Sequence, residues 1–186
     1  RIKEKNVIDL DYSVKKNIYN LSDYLNKKPE NVSVCIMDRP RHKEIINELL
    51  KLNVKIKYIT DGDVSGALLV TDDKYEIDLF LGIGGGPEGV LAAAALDAYN
   101  CNFQGRFLFK NKDDIIRAKR MGIYDLTKKY EINEIVSGDS IFCATGITSG
   151  DLVSGIEIKD NEFTSETLIT HKSSNLKKVL KLKKKI

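Results

Sequence analysis

The chain has 186 residues, 42% hydrophobic and 31% charged, a size that can bury roughly 70% of its unfolded surface in one ordinary domain. Thirty Lys and Arg face 27 Asp and Glu, and the net +3 is too small to argue for a nucleic-acid or membrane partner. Six of the lysines fall in the last ten residues and leave −3 over the rest. No apolar run approaches the ~20 residues that span a bilayer, and no signal-peptide core follows the first residues. A cytoplasmic protein is expected. The chain opens on Arg1 rather than Met, as a processed protein or a piece of a longer one would. Cys35, Cys101 and Cys143 are odd in number and far apart, and Cys35 and Cys143 sit in the apolar runs VSVCIM and SIFCATG. Buried thiols in a reducing compartment are the expected reading. His42 and His171, without a Cys-x-x-Cys pair, offer no zinc cluster.

Helical periodicity over 13–26, with Ser13 as N-cap, is followed by a continuous β-branched run at 32–37, the pattern of a strand buried on both faces. Pro40 then suits a first helical turn, and HKEIINELLKL puts Ile45, Leu49 and Leu52 on one stripe. The unit repeats as strand 54–59, joint Asp61-Gly62-Asp63 and helix 64–71, and again as strand 77–83, joint GGGPEG and helix 90–99. Three successive units predict an α/β fold with a largely parallel sheet and helices on both faces. Beyond them the pattern predicts a strand at 103–109, a charged surface helix at 113–121 and a short buried strand at 140–144. Partly exposed antiparallel strands IEIK and FTSETLIT come next, then LKKVLKLKKKI, a Lys-guarded edge strand or a basic tail. With no low-complexity linker, internal sequence repeat or domain boundary in view, one α/β domain over 1–186 is expected.

Ligands of an open parallel sheet bind outside the carboxyl ends of its strands, where helix N-termini converge. The three joints are therefore the candidate site. Arg39 and Arg41 flank Pro40 and suit a phosphate oxyanion; the plainer alternative has Asp38 capping a helix and both arginines solvated. His42 reads as a first-turn surface residue. At the second joint Asp63 can cap the helix and Gly62 can take positive φ, which leaves Asp61 for sugar hydroxyls or a metal. The third joint formally satisfies G-x-G-x-x-G through Gly84, Gly86 and Gly89. Glu88 in its first turn would repel a bare pyrophosphate, and a divalent cation between the two removes the conflict. A glycine-rich turn whose Glu complements the helix dipole has the same composition. ATGITSGD, after strand 140–144, carries no assigned role, and no Ser/His/Asp or Cys/His nucleophile arrangement suggests itself.

In order, DRPRH, DGDVSGALL, GIGGGPEGVLAAAALDAYNCNFQGR, RAKRMGI, ATGITSGDL and SETLITHKSSNLKKV resemble the second half of class II fructose-1,6-bisphosphatases, including the bifunctional fructose-1,6/sedoheptulose-1,7 group. The resemblance implies part of an inositol-monophosphatase-like sugar phosphatase fold, with Mg2+ or Mn2+ used to hydrolyse the 1-phosphate in gluconeogenesis. It implies substrate contacts at Arg39, Pro40, Arg41, Asp61, Gly62, Asp63 and Gly85, and a metal ligand at Glu88. It also implies a missing N-terminal half that carries most of the metal-binding carboxylates. The chain would then be inactive alone and the intact enzyme a homo-oligomer. Two other readings stay open: a dinucleotide-binding oxidoreductase module and a catalytically silent binding domain. The first wants an acidic residue about 20 positions after the glycines, where this chain has CNFQGRFLF.

Overall fold

A computed structural model describes residue 4 and residues 6–185. The Ser13 hydroxyl accepts the Lys16 N–H at 3.1 Å and caps α1, Val14–Tyr24. β1, Ser33–Met37, is buried from Val34 to Met37. A single 3-10 turn, Pro40–His42, leads into α2, Lys43–Lys51. The alternation continues with β2, Lys55–Ile59, α3, Asp63–Leu68, β3, Leu79–Leu81, and α4, Gly86–Asp97. The three strands form a parallel sheet in the order β2-β1-β3, with Val34 level with Ile56 and Leu79.

Alternation along the strands divides the core in two. Val34 and Leu79 point to one face and pack with Ile18 and Leu21 of α1 and Leu49 of α2. Phe80 points to the other, where Ala67 and Leu68 of α3 and Ala92, Ala95 and Leu96 of α4 gather. Helices cover both faces, as the three repeated units predicted.

The chain then adds β4, Gln104–Arg106, α5, Lys112–Arg120, β5, Lys129–Glu131, and α6, Ile132–Ile135. Last come β6, Ile141–Thr145, β7, Glu157–Lys159, β8, Glu162–His171, and β9, Leu176–Lys185. β4 and β5 make a two-stranded antiparallel ribbon, and β8 pairs antiparallel with β6 and β7 along one side and β9 along the other.

The expectation of a largely parallel sheet with antiparallel strands at its edge is therefore corrected. The antiparallel strands form sheets of their own. The physical cause is α4, whose apolar stretch from Ala92 to Leu96 packs against strands of both sheets. Its Ala92, Ala95 and Leu96 share a cluster with Phe80 of β3, Phe142 of β6 and Leu168 of β8. With α3 and α4 standing between them, β6 and β8 cannot hydrogen-bond to β3.

The same alternation corrects two smaller expectations. β6 is only half buried, because Phe142 and Ala144 face α4 while Ile141, Cys143 and Thr145 face away. Cys143 is an exposed thiol, and Cys35 and Cys101 are the buried ones. β9 is an edge strand exposed along its whole length, the lysine-guarded form predicted for it.

The segment before α1 is tied to the ribbon by charge. Lys129 Nζ lies 2.5 Å from Asp9 and 3.0 Å from Asp11, and the Arg106 guanidinium also pairs with Asp11. The Leu10 N–H donates to Gln104 Oε1 at 2.9 Å. Among the described residues no helix is long and apolar enough to cross a membrane.

Candidate functional site

All three sequence-predicted joints open at the carboxyl end of the parallel sheet, in lateral order Asp61–Asp63 after β2, Arg39–Arg41 after β1 and Gly84–Glu88 after β3. The central joint reaches both of its neighbours. The Arg39 guanidinium donates to the Thr60 carbonyl just past β2, and the Arg41 Nε–H donates to the Ile83 carbonyl just past β3. Pro40 fixes φ between them and starts the 3-10 turn, so that the two arginines flanking it diverge rather than stack. Arg41 also points an Nη2–H at Met37 Sδ, 4.0 Å away, and since each guanidinium has five N–H donors these contacts engage only part of either fork. Arg39, Pro40 and Arg41 are exposed. Asp38 is not the helix cap that the plain alternative required: residue 39 occupies the cap position of the turn and makes no side-chain cap bond.

At the second joint Gly62 is left-handed at φ 73°, a conformation that an L side chain adopts only with strain. It is also the cap position of α3, so the expected cap, Asp63, stands one residue inside the helix, where its carboxylate accepts the Val64 N–H at 3.0 Å. The other carboxylate oxygen of Asp63 faces the glycine loop, 2.9 Å from where a side chain on Gly84 would begin. Asp61 is exposed beside it.

At the third joint α4 starts at Gly86 rather than Val90, so Gly86, Pro87 and Glu88 form its first turn. Pro87 gives up an N–H that has no partner in a first turn. The Glu88 carboxylate folds back over Gly85 and occupies the space that a Cβ there would need. An anionic oxygen thus stands directly on the glycine loop, with Asp63 on the loop's other flank.

The sequence missed two residues of this neighbourhood. His42 is wholly buried, not a surface residue: the Ile83 N–H donates to its Nε2 at 2.7 Å, and its Nδ1 lies 2.8 Å from the Met37 carbonyl. Its partner is 41 positions away, so local sequence carried no signal of burial. Phe107 comes to 3.5 Å from the Cβ position of Gly86 and stacks edge-on with Tyr130, ring centroids 5.9 Å apart. The aromatic run at 103–109 predicted a strand there, not a wall beside the loop.

A Ser, a His and an Asp do meet away from the joints, as a structural clasp. His171 Nε2 is 2.7 Å from Asp139 and Nδ1 is 2.7 Å from the Ser174 hydroxyl. Ser174 lies in the β8–β9 turn and Asp139 just before β6, so the trio pins an exposed turn to the sheet. The dinucleotide reading also loses its frame: the strand after α4 is β4, paired antiparallel in the ribbon instead of parallel beside β3, and a dinucleotide fold needs that second parallel strand.

Over residues 2–184 the chain matches the profile of the family described as bacterial fructose-1,6-bisphosphatase, glpX-encoded. It is 34% identical to the D-fructose 1,6-bisphosphatase class 2/sedoheptulose 1,7-bisphosphatase of Trichodesmium erythraeum, covering 91% of this chain and 53% of that protein. It is 35% identical to fructose-1,6-bisphosphatase 1 class 2 of Escherichia coli, covering 94% and 56%. With the Haemophilus influenzae fructose-1,6-bisphosphatase class 2 the figures are 34%, 94% and 57%. The chain spans about half the length of the curated relatives it matches. A match over nearly every residue, together with the three joints at one sheet end, places the chain in the bacterial fructose-1,6-bisphosphatase family encoded by glpX.

Proposed function

We propose that this chain is the sugar-phosphate-binding, C-terminal part of a class II fructose-1,6-bisphosphatase with an inositol-monophosphatase-like fold. The reaction is hydrolysis of the 1-phosphate of fructose 1,6-bisphosphate with Mg2+ or Mn2+. The observation that carries the reading is the convergence of two guanidiniums, three carboxylates and a glycine-rich helix start at the ends of three adjacent parallel strands. Arg39 and Arg41 hold the phosphate that is not cleaved, each as a planar fork with donors to spare. Asp61 and Asp63 accept hydrogen bonds from sugar hydroxyls across the turn that Gly62 permits. Gly85 lets the ligand approach the backbone where Glu88 stands.

The donor set of this chain does not by itself fit the metal. Among the described residues no group of three or more His, Cys, Asp and Glu is arranged to hold one, whereas a hard octahedral cation takes six oxygen ligands. Glu88 supplies one; the others come from outside this chain. Metal-assisted chemistry belongs to the longer protein, and this chain contributes substrate binding and the placement of that carboxylate.

Phosphate release from fructose 1,6-bisphosphate, compared between the chain alone and the protein extended to the length of its relatives, tests the reading. The chain alone should show no metal-dependent turnover. In the extended protein Glu88→Gln should lower kcat by orders of magnitude while leaving the melting temperature nearly unchanged. Full activity of Glu88→Gln, or turnover by the chain alone, overturns the assignment.

A further inference from the structure

His42 is the buried polar group next to the site that the assignments above leave without a role. Its two ring nitrogens meet two backbone groups that cannot change character. The Ile83 N–H can only donate, so Nε2, 2.7 Å away, carries a lone pair. The Met37 carbonyl can only accept, so Nδ1, 2.8 Å away, carries the proton. Together they fix the neutral Nδ1–H tautomer. The Ile83 carbonyl lies 3.2 Å from Nε2 but faces a lone pair there, and it takes the Arg41 Nε–H instead. Ile83 is therefore held at both polar groups, its N–H by His42 and its carbonyl by Arg41.

We infer that His42 is a positioning residue: as the neutral Nδ1–H tautomer it fastens the start of the glycine-rich loop to the end of β1, and through Ile83 it aims the Arg41 guanidinium into the crevice. His42 fastens the loop whatever the ligand is; its effect on ligand affinity rests on the sugar-phosphate function proposed for the joints.

Two variants separate positioning from mere filling of the core. His42→Leu keeps most of the volume and neither hydrogen bond. His42→Gln keeps an amide oxygen able to accept the Ile83 N–H. Nitrogen-15 NMR of the chain should show a single Nδ1–H tautomer at neutral pH, with slow exchange of the Ile83 amide and the Arg41 Nε–H. His42→Leu should release both protons to fast exchange while the amides of β1 and α2 stay protected. It should also bind fructose 1,6-bisphosphate about tenfold more weakly in calorimetry, the size of one lost positioning hydrogen bond. His42→Gln should restore both signals and most of the affinity.

An Nε2–H tautomer or an imidazolium at neutral pH overturns the inference, as does a folded His42→Leu with unchanged Ile83 and Arg41 exchange. If His42→Leu does not fold, His42→Gln decides: retained Ile83 protection and affinity support the inference, and loss of both overturns it. If the unaltered chain does not bind the sugar bisphosphate, the functional reading fails for this chain, and the tautomer and the two exchange rates still decide whether His42 positions the loop.

Discussion

Gly85 has an ordinary backbone conformation, φ −73°, so the absence of a side chain there serves space rather than torsion. A methyl group would enter the position of the Glu88 carboxylate, the movable end of a flexible side chain. Gly85→Ala should therefore fold with nearly unchanged stability, and in the extended protein it should raise the fructose 1,6-bisphosphate KM and shift the metal concentration for half-maximal activity upward by roughly tenfold or more. A titration of activity against Mn2+ checks it. The thiols offer a second test at this scale. Burial pushes Cys35 up to about 11, so at pH 8 it is almost wholly protonated and inert, while Cys143 is exposed on β6. Brief iodoacetamide treatment of the native chain should modify Cys143 and spare Cys35 until denaturant is added, as peptide mass spectrometry would show. The chemistry-bearing residues of the joints were legible in sequence because a joint between periodic segments needs few residue types, and Arg, Asp and Glu there stand out. His42 was not, because its burial depends on a loop that the chain reaches only 41 residues later.

α3 lies so close to the parallel sheet that a methyl on Gly66 would run into Ile59, approach the Phe80 ring at 3.0 Å and meet Cys35 Sγ at 3.6 Å. Helix propensity favours Ala over Gly by about 1 kcal/mol, yet overpacking a tight interface costs about 1–3 kcal/mol. Packing should win or at best break even. Gly66→Ala should lower the urea midpoint without changing its slope, and a raised midpoint would mean that α3 can slide on the sheet. The repeating strand–helix units were readable because β1 is buried on both faces and so carries a continuous apolar run. β4 lies inside the strand predicted at 103–109, but its partner β5, KYE, carries no apolar run at all. It is a strand because it pairs with β4 across 27 positions at Gln104 and Glu131, information that no local window contains. α4 was predicted four residues short because three glycines read as turn, although Pro87 and Glu88 are both at home in a first helical turn.

Across the whole molecule, the segment before α1 is held by Asp9 and Asp11 on Lys129, more than a hundred residues later. Burial alone would raise the Asp9 carboxyl, but hydrogen bonds from Lys129 and the Asp11 N–H outweigh it and bring it below its usual 3.8. A carboxyl depressed in the folded state stabilises above its unfolded value and loses that contribution as pH falls through the lower folded one. Asp9→Asn should therefore melt about 2 °C lower at pH 7, and the gap should shrink as pH falls below 3.8. A gap that persists at pH 2 would mean that the carboxylate's charge is not what holds the segment. The separation of the four-stranded antiparallel sheet from the parallel one was the largest feature hidden from the sequence. Strand character was visible in IFCAT and FTSETLIT, but which sheet a strand joins depends on what stands between, and only a helix buried on both sides decides that.

The outer face of the antiparallel sheet presents Ile141, Ile158 and Leu182 at 67%, 71% and 52% exposure, with Lys178 and Lys184 on that same face of β9. In colloidal terms this is a sticky plate with charged stabilisers, and with a net charge of only +3 the chain has little general repulsion to add. The Debye length shrinks from about 10 Å at 0.1 M salt to 3 Å at 1 M, less than the reach of a lysine side chain. Light scattering of the chain should show a second virial coefficient that is positive at low salt and turns negative as sodium chloride is raised. Lys178→Glu/Lys184→Glu, which moves the net charge to −1, should bring that change of sign to lower salt. A chain that a sequence pattern would describe as lysine-protected is protected only while its counterions stay dilute.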